Sequence, residues 1–187
     1  MLAQFLVRDP FKPWSVVYDA KHSRTLGEWG GNQKIIYDWA ELTQSQDRRI
    51  IYRPSLEEAE DRGMQEAFFK WIYQQGHVRV YIDECSALLG DSSPNFYLKG
   101  CLTRGRELGV SVLATTQRPV SIPLITMSEA SRFYIFRLNI EEDRKRITKI
   151  TGLSDEAQLS LKRYEFFYFD VMRGLVPHKM RLDLSGQ

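Results

Sequence analysis

Two adjacent carboxylates, Asp83 and Glu84, close the apolar run in "VYIDECSALLG" (80–90). In a parallel sheet, ligands bind beyond the carboxyl ends of the strands, so an acid that ends a central strand points at the site. With a nucleoside triphosphate and Mg²⁺ as ligand, Asp83 suits holding the metal through water. Glu84 then suits polarising a water for attack on the terminal phosphate. Taken alone, the pair is equally well read as a strand end with two solvated acids. Gln117 follows the run "VSVLATT" (110–116) directly, 33 residues past Glu84. An amide at the tip of a neighbouring strand can sense the terminal phosphate or orient the water. The plainer alternative is a turn residue ahead of Arg118 and Pro119, where proline ends the strand. In "LTRGRELGV", Arg104 and Arg106 close the helix between those two strands. An arginine there can reach a neighbouring subunit's nucleotide, or can simply be a basic residue favoured near a helix C-terminus.

Strands alternating with helices are needed to position such residues, and the pattern supplies them. Apolar runs at 15–19 ("SVVYD"), 34–38, 48–53, 78–83, 110–116 and 132–138 read as strands. Residues 55–76 read as one helix, opened by a Ser55/Glu58 capping box and stopped at Gly76. Further helices are expected over 94–108, 123–130, 141–152 and 155–161. The tail reads as two strands joined at "RG", adding antiparallel edge strands. Strands alternating with helices predict a mostly parallel sheet covered on both faces.

Composition narrows the class. The 187 residues are 43% apolar and carry a net charge of +2, which suits one compact domain and neither signals nor excludes nucleic-acid binding. The longest apolar runs are too short to span a bilayer, and the N-terminus lacks the pattern of a signal peptide. Cys85 and Cys101 stand sixteen apart without nearby histidine clusters, which predicts reduced thiols and a cytoplasmic setting. The mixed charges of "EEDRKRITK" (141–149) predict a solvated helix face. "FFYF" (166–169) predicts a core strand, and Trp14, Trp29, Trp39 and Trp71 predict core or subunit contacts.

The segments "VYIDECSALL", "LTRGRELGVSVLATTQRP", "SIPLITMSEASRFYIFRL" and "DRKRITKITG", in this order and spacing, resemble the FtsK–HerA superfamily of P-loop ATPases. "WSVVYDAKHSR" adds to the likeness, with a strand ending in Asp19 and followed by Lys21. The resemblance covers roughly residues 1 to 170 and implies an α/β fold. That fold is a RecA-like P-loop NTPase core: a mostly parallel sheet, helices on both faces and a C-terminal antiparallel hairpin. It implies ATP and Mg²⁺ as cofactors, with Asp83 the metal acid, Glu84 the base and Gln117 the sensor. Arg106 or Arg104 is the finger acting in trans, and Asp19 and Lys21 lie beside the nucleotide. It further implies a hexameric ring that moves double-stranded DNA, of viral or mobile-element type, in the cytoplasm or associated with a virion. The alternatives are a protein-secretion or filament-assembly ATPase of the same superfamily, and an inactive scaffold.

One expected part is missing. The sequence contains no G-x-x-x-x-G-K-[ST], whose backbone amides cradle phosphates. "LGEWGGNQK" (26–34) has the wrong spacing and reads as a surface turn. "MLAQFLVRD" (1–9) reads as the body of the helix that follows such a loop. The expectation is therefore a single domain over 1–187, shortened at its N-terminus and without its first strand, and weak in ATP binding alone.

Overall fold

The computed structural model describes residues 14–27, 33–89, 95–174 and 176–182. The helix expected at 1–9, most of the glycine-rich turn and Trp29 lie outside the described residues. The chain falls into two compact units, residues up to Thr116 and residues from Gln117 onward.

Five parallel strands form the sheet of the first unit. They are β1 (Ser15–Tyr18), β2 (Lys34–Ile36), β3 (Arg49–Tyr52), β4 (Arg79–Ile82) and β5 (Ser111–Ala114), in the order β2-β3-β1-β4-β5. β1, β3 and β4 each bury three of their four residues, because both faces are covered and no polar alternation is required. On one face Ile35, Ile51, Val17, Tyr81 and Leu113 sit in register across all five strands, with Leu26 packed against the row. On the other, Tyr18 and Tyr52 pack against Phe68 at centroid distances of 4.9 and 5.8 Å. Trp14 and Trp39 both meet Trp71 edge-on. Burying one such aromatic contributes about 1.5–3 kcal/mol, so this cluster is a principal anchor of the sheet.

The helix that supplies Phe68 and Trp71 is α4 (Arg62–Gln75), preceded by α1 (Arg24–Gly27), α2 (Trp39–Gln44) and α3 (Leu56–Glu60). It buries Gln65, Phe68, Phe69 and Ile72, the i, i+3, i+4, i+7 stripe of a helix facing a core. The single helix expected over 55–76 divides at Asp61, whose carboxylate accepts from the Met64 N–H and caps a new helix. The Ser55/Glu58 capping box forms, and Gly76 ends the helix at φ +62°. Helices α5 (Ser86–Leu89) and α6 (Phe96–Arg104) connect β4 to β5. Among the described residues β5 pairs only with β4. Its Ser111 and Ala114 are exposed, and Val112 and Leu113 are half-buried.

The second unit holds an antiparallel sheet of β6 (Arg132–Ile135), β7 (Glu165–Asp170) and β8 (His178–Arg181). The C-terminal hairpin therefore pairs with β6 rather than with the parallel sheet. Aromatic cross-strand pairs favour this register: Phe133 stacks on Phe169 at 6.2 Å, and Tyr134 lies 5.2 Å from Tyr168. "FFYF" thus sends Phe167 and Phe169 to one face, Phe166 and Tyr168 to the other.

A 3-10 turn (Pro119–Ser121) and helices α7 (Leu124–Ser128), α8 (Glu141–Thr151) and α9 (Asp155–Leu159) complete the unit. The solvated face expected for 141–149 holds only in part. Lys145 pairs with Glu141 on the surface, but Asp143 and Arg144 are buried. Asp143 accepts from Arg118 Nε at 3.0 Å and from the Val120 N–H at 2.9 Å. Arg144 donates to Asp155 and to the carbonyls of Leu138 and Asn139. Alternating charges had hidden two internal ties. No described helix is long and apolar enough to cross a membrane.

Candidate nucleotide site

Three parallel strands deliver the candidate site at their carboxyl ends. β4 ends in Asp83 and Glu84, its neighbour β1 leads into Asp19 and Lys21, and its other neighbour β5 leads into Thr115 and Thr116.

Asp83 is held from two sides. Tyr81 Oη and Thr115 Oγ1 donate to its Oδ1 at 3.2 and 3.1 Å. Burial pushes the Tyr81 phenol up to about 12, so it remains a donor. Both bonds fall on one oxygen. Among the described residues no group of three or more His, Cys, Asp and Glu could hold a metal ion. A single strand-end carboxylate suits Mg²⁺, which keeps several waters and takes its other ligands from substrate phosphates.

Glu84 adopts φ +55°, a left-handed backbone uncommon outside glycine. Such conformations persist where the surroundings fix them, and they cluster at functional sites. Here the Glu84 N–H donates to Thr115 Oγ1 at 3.2 Å, and the Cys85 N–H to the Thr115 carbonyl at 2.7 Å. The side chain is fixed as firmly. Ser86 Oγ and Thr116 Oγ1 donate to Oε1 at 2.6 and 2.9 Å, and Lys21 Nζ stands 3.6 Å from Oε2.

Asp19 and Lys21, expected together beside the nucleotide, divide their roles. Asp19 is fully buried. It accepts from the Ser23 N–H at 3.0 Å and from Arg53 Nε at 2.9 Å, while Arg53 also donates to the Ser23 carbonyl at 2.7 Å. Asp19 thus shapes the turn, and the turn presents Lys21 to Glu84. Arg104 ends α6, and Arg106 lies in the turn beyond it; both are exposed. That turn leads into the start of β5, whereas the acids stand at the opposite, carboxyl end of the sheet. One chain therefore does not bring either arginine to its own acid pair. Gln117 follows Thr116 directly and is exposed. Thr115, Thr116, Ser86, Tyr81 and Arg53 were not singled out in the sequence. The paired hydroxyls at the tip of "VLATT" were the available signal.

The mostly parallel sheet with its helices has the fold of genome packaging NTPases of solved structure. The genome packaging NTPase B204 of Sulfolobus turreted icosahedral virus 2, in complex with ATP-gammaS, superposes with a TM-score of 0.72. It is 15% identical, over 96% of this chain and 86% of that one. Its complex with AMP gives 0.71 at 17% identity, over 92% and 84%. The N-terminal domain of zonular occludens toxin from Neisseria meningitidis gives 0.53 at 13% identity, over 99% and 86%. In sequence, the DNA packaging ATPase P9 of Enterobacteria phage PRD1 is 28% identical over 108 residues, 54% of this chain and 46% of that protein. The chain thus matches about half the length of this curated relative. No protein-family model matches it.

Proposed function

We propose that this chain is the core of an ATP-driven motor subunit that packages or translocates double-stranded DNA. The observation that carries the reading is the acid pair fixed by hydroxyls from the next strand: Asp83 by Thr115, Glu84 by Thr116. Two carboxylates on one strand end would repel each other and take up many rotamers; these two are each held by hydroxyls of their own.

In this reading Asp83 holds Mg²⁺ through water, and the ion supplies charge neutralisation at the phosphates. Glu84 accepts the proton of the attacking water. Its Oε1 accepts from two hydroxyls, and its Oε2 lies 3.6 Å from Lys21 Nζ. Gln117 orients the water or senses the terminal phosphate. Arg106 or Arg104 acts on the nucleotide of a neighbouring subunit in a ring, which fits their place away from their own acids. No stretch of the 187 residues has the phosphate-cradling spacing. The reading therefore includes a phosphate loop supplied by sequence outside them. The packaging ATPases that this chain resembles favour DNA as the substrate, and the host cytoplasm or the virion as the setting.

The test is Mg²⁺-dependent ATP hydrolysis by this chain and by the chain extended upstream in its own reading frame. The extended form is expected to turn over ATP, and Glu84→Gln to lower its rate on the order of 100-fold or more while nucleotide binding survives. A folded extended protein without turnover would overturn the reading in favour of a scaffold.

A further inference from the structure

Strand register gathers one set of side chains on a single face of the β6–β7–β8 sheet. Arg132 and Tyr134 of β6, Phe166, Tyr168 and Asp170 of β7, and Met180 of β8 share that face. The buried Asp170 carboxylate is met there by Tyr168 Oη at 3.1 Å, Arg132 Nε at 3.4 Å and Arg173 Nε at 3.9 Å. One carboxylate thus serves two guanidinium groups, whose side chains stay 58% and 74% exposed. Beside them Tyr134 lies 5.2 Å from Tyr168 and 6.0 Å from Phe166, and both Tyr134 and Met180 are exposed. Tyrosine, methionine and arginine together are the residues enriched in protein–protein contacts. The first unit holds a patch with the opposite needs. On α3, Leu56 is 71% exposed, and Glu60, one turn on, shares its side of the helix. Glu57 and Glu60 stand three apart and exposed, so their like charges repel. Among the described residues neither has a Lys, Arg or His partner. Leu56 and Glu60 are about 6 Å apart along the helix, and Tyr134 and Arg132 about 7 Å apart along their strand. An apolar and an ionic contact can therefore form side by side. Two copies of the sheet face would set arginine against arginine, so the complementary match is head to tail.

We propose that this sheet face docks α3 of a second copy of the chain, with Arg132 and Arg173 on Glu57 and Glu60, and Tyr134 and Met180 against Leu56. Each copy then offers one knob and one seat, so the contact repeats head to tail and can close into a ring. This goes beyond the motor reading, whose ring requires a subunit contact. The experiment is sedimentation velocity of the chain over a concentration and salt series. Wild type is expected to associate, and less tightly as salt rises. Glu57→Arg with Glu60→Arg should raise the dissociation constant on the order of 100-fold, because like charges then face each other. Met180→Glu, at an exposed site on the sheet face, should weaken association as well, and Leu56→Ser should do so without a change of charge. Arg181→Gln, on the opposite face of the sheet, should leave it unchanged. The α3 double variant and Met180→Glu each keep one intact surface. Mixed together, they are expected to form a dimer and nothing larger. Association of the variants at wild-type strength removes the proposal, and so does a mixture of folded variants that forms no dimer. A wild type that stays monomeric also removes it, while the motor reading still stands or falls by ATP hydrolysis. Loss of duplex DNA binding in Met180→Glu with association unchanged would overturn it and reassign the face to DNA.

Discussion

Thr116 Oγ1 donates to Glu84 Oε1 over 2.9 Å, linking the tip of one strand to the acid that ends its neighbour. Glu84 also sits on a left-handed backbone, so its carboxylate is aimed by its partners rather than by a relaxed main chain. Thr116→Val keeps shape and removes the donor. In the upstream-extended protein, kcat for ATP is expected to fall on the order of 10-fold, with KM nearly unchanged, because orientation rather than binding is lost. Thr116→Ser should restore most of it. Steady-state kinetics of the two variants decide the matter, and a change confined to KM would sink the idea.

Arg53 neutralises the buried Asp19 and ties down the turn that carries Lys21. Arg53→Met leaves that carboxylate buried and uncompensated, a loss of about 3–5 kcal/mol. Urea denaturation should show it as a lower midpoint. Lys21→Met, by contrast, should leave the midpoint nearly in place, since the Lys21 side chain is half exposed.

In the second unit, Asp143→Ala removes the acceptor for Arg118 and for the Val120 N–H. An expected loss of about 1–3 kcal/mol follows from the Val120 N–H left without its acceptor. Asp143→Asn retains an acceptor for the backbone N–H and should recover part of it. Thermal denaturation of the two variants gives the comparison.

Cys85 and Cys101 are free and buried, and burial pushes both thiols up to about 12. Neither should react with a disulfide reagent near neutral pH in the folded protein, and both should react in denaturant. The folded values lie above the ordinary thiol value of 9.0. Their stabilising contribution is therefore complete below about pH 9 and is lost as pH rises towards 12. Cys101→Ser should flatten that alkaline loss in urea titrations, and an unchanged slope would exclude the thiol as its source.

Much of this was legible because the physics is local. "SVVYD", "RRIIYR" and "VRVYID" gave their strands through continuous apolar runs, and Asp83 and Glu84 stood out because two adjacent acids close one of them. Ser55 with Glu58 and Gly76 marked helix ends through capping chemistry. What escaped was set by partners distant in sequence. Asp61 could not be recognised as a helix break inside a polar helical stretch. Asp143 and Arg144 looked solvated because their partners, Arg118 and Asp155, lie in other elements. The tie of Asp19 to Arg53, 34 positions away, has no trace in the sequence around either residue. The positioning hydroxyls of Thr115 and Thr116 gained meaning only once β5 was laid beside β4.

β5 is bonded along one side alone among the described residues. The Ser111 and Thr115 amides point to β4, so those of Val112 and Ala114, alternating with them, point outward. Among the described residues the strand is thus a cantilever, clamped at one margin, and its tip bears the two threonines that grip the acid pair. The stiffness of β5 therefore bears on how tightly Asp83 and Glu84 are held. An extended segment laid along it would act as a splint, stiffening both carboxylates without touching either. Hydrogen exchange should show the asymmetry directly, with the Val112 and Ala114 amides exchanging ahead of Ser111 and Thr115.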